Sequence, residues 1–99
     1  MHTIVLLQMT QNTNTRTYLE FETVNLAMDG ICQMFERRLK ELNPNLRNIT
    51  YDITDLYDFI DQLADMSCLV LNPQLNAYMP QNKEWMKKRA FQHLKKQAQ

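Results

Sequence analysis

The chain has 99 residues, which suits one domain (residues 1–99) with an adequate but small core. Eleven basic and eleven acidic residues cancel, which speaks against a bulk nucleic-acid binder; 44% hydrophobic residues with one Gly and three Pro exclude a disordered or collagen-like chain. No secretory apolar region follows Met1, no apolar run could span a bilayer, and the two cysteines, Cys32 and Cys68, fit a reduced intracellular protein.

Thr3 to Met9 (TIVLLQM) is a short apolar run and reads as a strand. The polar TQNTNT stretch, Thr10 to Thr15, is a loop, and Arg16 to Glu22 (RTYLEFE) is β-favourable, so the pair reads as a hairpin. Thr23 is the N-cap of a helix running to about Leu42, with Val24, Met28, Ile31, Phe35, Leu39 and Leu42 on one stripe. Asn43-Pro44-Asn45 ends it. Ile49 to Tyr51 reads as a short strand. Asp52 then caps a second helix, with Asp55 completing a capping box and Tyr51 placed to staple onto Leu56. Ser67 to Leu71 is a strand, Asn72-Pro73 turns the chain, and Ala77-Tyr78 can add a short extended piece. Pro80 and an Asn82 cap start a third helix. Short strands and a leading hairpin imply an α+β domain, with helices on one face of a mostly antiparallel sheet.

The charge is unevenly spread. Residues 49–71 carry five aspartates and no base, whereas residues 83–99 carry six bases against Glu84 alone. On the second helix Leu56, Phe59, Ile60, Leu63 and Met66 share one side, and Asp55, Asp58, Asp61 and Asp65 the other. The acids therefore line the outside of a rod, where they cannot converge on a metal, and no EF-hand glycine accompanies them. Other chemistry is equally absent. Ser67 is the only serine and has no nucleophile elbow, and His2 and His93 sit at opposite ends. Cys32 and Cys68 show no metal spacing and read as small buried hydrophobes. The expectation is no enzyme, no cofactor and no metal. The basic run Lys87-Lys88-Arg89 and the pair Lys95-Lys96 read as a solvated face, or as a contact for RNA phosphates or an acidic protein segment. Aromatic interleaving is thin, with Trp85 and Phe91 alone, so any RNA contact is expected to be weak or indirect.

Two features point to partners. Gly30 lies within the first helix, where it costs about 1 kcal/mol against Ala. It serves either close packing or a shallow partner groove lined by Leu26, Gly30 and Met34. The first strand, moreover, is apolar on both faces. Thr3, Val5, Leu7 and Met9 suit the core, and Ile4 and Leu6 share parity with His2 and Gln8 on a face that nothing else in the chain covers. With Thr17, Leu19 and Leu71 added, that face is expected to bury itself in a twofold homodimer.

These stretches resemble the enhancer of rudimentary homolog family. The resemblance is carried by His2-Thr3-Ile4, Arg16-Thr17-Tyr18, the Gly30–Phe35 segment, Ile49–Ile53, Phe59-Ile60-Asp61, Ser67–Val70, Tyr78-Met79-Pro80 and Lys83-Glu84-Trp85. It covers essentially the whole chain. It implies a four-stranded antiparallel sheet with three helices on one face and a dimer through the other. It also implies a non-enzymatic adaptor for short, disordered segments of RNA-processing proteins, in nucleus or cytoplasm, with links to pyrimidine metabolism and the cell cycle. Thr17-Tyr18-Leu19-Glu20 matches a family position for acidophilic kinase phosphorylation at Thr17; a phosphate at a dimer face would disrupt it. Leu19 departs from a smaller residue common in the family, and Phe21, Phe35 and Leu71 from tyrosines. The Thr10–Thr15 loop lacks the usual Pro and charges, so partner choice here is its own question.

Overall fold

A computed structural model describes residues 2–45, 47 and 50–98. Four strands, β1 (Thr3–Gln8), β2 (Arg16–Phe21), β3 (Asp65–Asn72) and β4 (Ala77–Gln81), form one sheet in the order β2-β1-β3-β4, antiparallel throughout. Three helices, α1 (Val24–Leu42), α2 (Ile53–Gln62) and α3 (Lys83–Ala98), pack against one another on one side of it. The molecule is 20 Å across its thinnest direction, enough for one sheet and one helix layer. This is the α+β architecture expected from the sequence.

Each helix starts where a side chain takes up an orphan amide. Thr23 Oγ1 accepts from the Leu26 amide at 3.1 Å, and Asn82 Oδ1 from that of Trp85 at 2.9 Å. At α2 the capping box is complete: Asp52 Oδ1 accepts from the Thr54 and Asp55 amides, and Asp55 Oδ2 accepts from the Asp52 amide. The hairpin loop carries a 3₁₀ turn at Thr13–Thr15. Asn72 Oδ1 organises the β3–β4 turn by accepting from Gln74 and Leu75, and Asn76 takes the left-handed backbone (φ 50°) that asparagine tolerates.

The core lies between sheet and helices. Val5, Leu7, Met66 and Cys68 supply it from the sheet. Met28, Ile31 and Phe35 of α1, Leu56 and Ile60 of α2, and Met86 and Ala90 of α3 supply the rest. Thr3, Val5 and Leu7 alternate inward along β1 as their parity required.

Four local expectations need correction. Helix α2 ends at Gln62, so Leu63 caps it and Asp65 and Met66 lie in β3 rather than on the helix. Thr50 and Tyr51 form no strand, and Ile49 lies outside the described residues. Tyr51 instead turns its ring edge-on to Phe35 at 4.8 Å and donates its hydroxyl to Glu36 at 2.9 Å, tying the approach to α2 onto α1. The piece at Ala77-Tyr78 is a full strand reaching Gln81; it tolerates Pro80 because it is an edge. Leu42, at the end of the α1 stripe, is exposed.

Candidate protein-interaction surface

Strand register decides which side chains share a face. Ile4 pairs with Glu20 and Leu69, Leu6 with Tyr18 and Ser67, and Leu71 with Tyr78. All of these stand opposite the core-facing Thr3, Val5, Leu7, Cys68 and Val70. The side of the sheet away from the helices thus carries an apolar band running from Tyr18 through Ile4, Leu6, Leu69 and Leu71 to Tyr78. Tyr18 is 62% exposed, and Leu6 and Tyr78 are each 39% exposed.

Polar groups rim the band. Nδ1 of His2 lies 2.6 Å from the Tyr78 hydroxyl, and its Nε2 is 3.4 Å from Glu20. At the opposite end Arg16 Nε donates to Gln8 Oε1 at 2.8 Å. An apolar centre with a hydrogen-bonded rim is the make-up of a protein interface.

Ile4, Leu6 and Leu71 lie on this open face as expected. Thr17 and Leu19 do not. Thr17 pairs with Leu7 and Leu19 with Val5, so both belong to the helix-bearing side, where Leu19 packs against the core. A phosphate on Thr17, which is solvent-exposed at the strand end, would therefore sit off the open face. Sequence reasoning missed Tyr18, Leu69 and Tyr78. In RTYLEF both parities carry apolar residues, so alternation alone did not choose.

Gly30 holds the signal that would have chosen. A Cβ on Gly30 would lie 2.5 Å from Cζ of Phe21. The glycine exists to receive that ring, which fixes the odd parity of β2 inward. The expected groove of Leu26, Gly30 and Met34 is accordingly interrupted: Phe21 fills it at Gly30, Leu26 stands exposed, and Met34 joins Met9, Arg37 and Arg38 around a separate small hollow.

The charged helices hold each other. Lys87, only 13% exposed, lies 2.5 Å from Asp61 and 3.3 Å from Glu84, and its ammonium sits 5.6 Å from the Tyr57 ring. The hydrogen bond to Asp61, and next that to Glu84, hold this ammonium above its ordinary pKa. Lys83 donates to the Leu63 carbonyl at 2.7 Å, closing the end of α2. His93 Nε2 sits 2.5 Å from Asp29 and joins α3 to α1. Asp61 is thus a tie between helices, while Asp55, Asp58 and Asp65 face solvent. Burial pushes both thiols up to about 11; Glu36 adds to the effect at Cys32. Burial, then the bond to Glu36, pushes Tyr51 above its ordinary range. Among the described residues no cluster of His, Cys, Asp and Glu could hold a metal, and no helix is long and apolar enough to cross a membrane.

The fold and this surface define a class: a small two-layer α+β protein whose sheet is closed on one side and open on the other. The enhancer of rudimentary family model matches residues 1–99. The chain is 56% identical to an enhancer of rudimentary homolog of Dictyostelium discoideum, over 99% of this chain and 98% of that one. It is 54% identical to a homolog of Arabidopsis thaliana (98% and 89% covered) and 47% identical to the protein enhancer of rudimentary of Drosophila virilis (98% and 93%). The chain belongs to the enhancer of rudimentary family.

Proposed function

We propose that the chain is a non-enzymatic homodimeric adaptor. It pairs with a second copy through the open sheet face and presents short segments of partner proteins within an RNA-processing assembly. The observation that carries the reading is the uncovered band from Tyr18 to Tyr78, set on a rigid sheet with a polar rim. A self-complementary face closes most simply about a twofold axis. A dimer carries every binding site twice, so it raises the effective concentration of two bound clients. Client segments would order on binding, with apolar anchors seated in hollows of the helix layer. On this reading the role is one of assembly, in nucleus or cytoplasm.

Direct RNA binding through α3 is the second reading, favoured by the exposed Lys88, Lys95 and Lys96. Lys83 and Lys87 are already spent on α2, which weakens it. A regulatory link to pyrimidine metabolism or the cell cycle rests on the family resemblance. Purification of the tagged chain from its native cells, with nuclease treatment and mass spectrometry, separates these. RNA-processing proteins that survive nuclease support the adaptor; loss of every partner with the RNA supports α3, and metabolic enzymes alone support the regulatory link.

A further inference from the structure

The β3–β4 hairpin and the first turns of α3 bound a cavity of about 360 Å³. Val70, Pro73, Met79 and Trp85 supply its apolar walls and Gln81 a polar edge. That volume lies at the small end of ligand sites and suits one bulky side chain better than a cofactor. Met79 lies on the helix-side parity of an edge strand and is exposed, so the cavity opens at the border of the molecule.

Two cations lie one turn of α3 beyond its Trp85 wall. Lys88 and Arg89 follow Trp85 by three and four residues and share its side of α3. The Arg89 guanidinium lies 5.6 Å from the Trp85 ring centroid. Lys83 and Lys87, on the same turns, are taken by the Leu63 carbonyl and by Asp61 and Glu84. Among the described residues neither Lys88 nor Arg89 has a carboxylate at ion-pair distance. An apolar hollow near two cations that have no carboxylate partner complements an apolar side chain next to carboxylates. A second copy cannot supply it from its aspartate run, because Leu56, Phe59 and Ile60 there are buried in its own core.

We propose that this cavity docks a single bulky apolar residue of an extended acidic peptide segment, whose neighbouring carboxylates meet Lys88 and Arg89. The proposal rests on the adaptor reading and gives it a place on the molecule. The test begins with a random dodecapeptide display library selected on the purified full-length protein. The strongest peptide is then synthesised with a fluorescein label and titrated by anisotropy. Selected sequences should carry an apolar residue flanked by Asp or Glu. Binding should weaken about tenfold or more in both Met79→Asp and the double variant Lys88→Glu/Arg89→Glu, with solution mass and melting temperature unchanged. Peptides that bind equally well to these variants would overturn the site and leave the adaptor reading standing. Recovery of basic peptides would overturn the proposed chemistry. Recovery of none would count against both. Labelled oligouridylate that binds the protein, and is lost in the double variant, would assign the two cations to nucleic acid and overturn the proposal.

Discussion

Val5 and Leu6 are adjacent on β1, yet Val5 has no exposed surface and Leu6 keeps 39% of its own. The same split runs through β3, where Met66, Cys68 and Val70 are buried while Leu69 and Leu71 face the open side. The helices explain the closed side: they bring Met28, Ile31, Leu56, Ile60 and Met86 down onto it. Nothing in the described chain does so for the other side. The two faces therefore hold similar residues in different settings. One set stabilises the subunit by burial; on the proposed reading the other is buried only on association.

Truncation on each face should separate these roles. Met66→Ala removes a fully packed side chain and should cost about 2–5 kcal/mol of stability in urea, at any protein concentration. Leu69→Ala, three residues on, should cost the subunit under about 1 kcal/mol and act mainly on association, so its midpoint should depend on concentration.

Gly30→Leu tests how the closed face is sealed at β2. The side chain has to displace the Phe21 ring, and a loss of about 1–3 kcal/mol is expected, net of the better helix propensity. Phe21→Leu in the same chain should return part of that loss, and additive effects in a double-mutant cycle would contradict the contact.

A smaller effect concerns α2, which anchors the helix layer. Bonds from the Thr54 hydroxyl, and next the Asp55 amide, hold the Asp52 carboxyl below its ordinary pKa. A carboxyl depressed on folding stabilises above its unfolded value of about 3.9 and loses that contribution as pH falls through this range. Asp52→Ala should thus melt earlier than wild type at neutral pH, with the gap closing on acidification below about pH 4. A gap that persists at low pH would show that the cap acts without its charge.

Much of this division was legible in the sequence. Parity along β1 announced which residues of Thr3–Gln8 face the core, and caps at Thr23, Asp52 and Asn82 announced the helix starts. The acidic side of α2 was legible as far as Asp61, because a period of 3.6 separates the faces, but the helix end was not: Asp65 and Met66, read as helical, belong to β3. Strand β2 was not. Tyr18, Leu19 and Phe21 offer apolar groups to both sides, and the deciding contact, Phe21 on Gly30, joins a strand to a helix and is invisible to local periodicity. The pairing of Lys87 with Asp61 was equally hidden. Each residue lay in its own charge run, and only the packing of α3 on α2 turns two solvated faces into a tie.

Sedimentation equilibrium on wild type and Leu6→Arg tests the open face most directly. Wild type should sediment at twice the 11.8 kDa chain mass, and Leu6→Arg at the single-chain mass with native circular dichroism. A wild type that stays monomeric at high concentration, or a Leu6→Arg chain that keeps the dimer mass, would contradict the assignment of this face to a second copy.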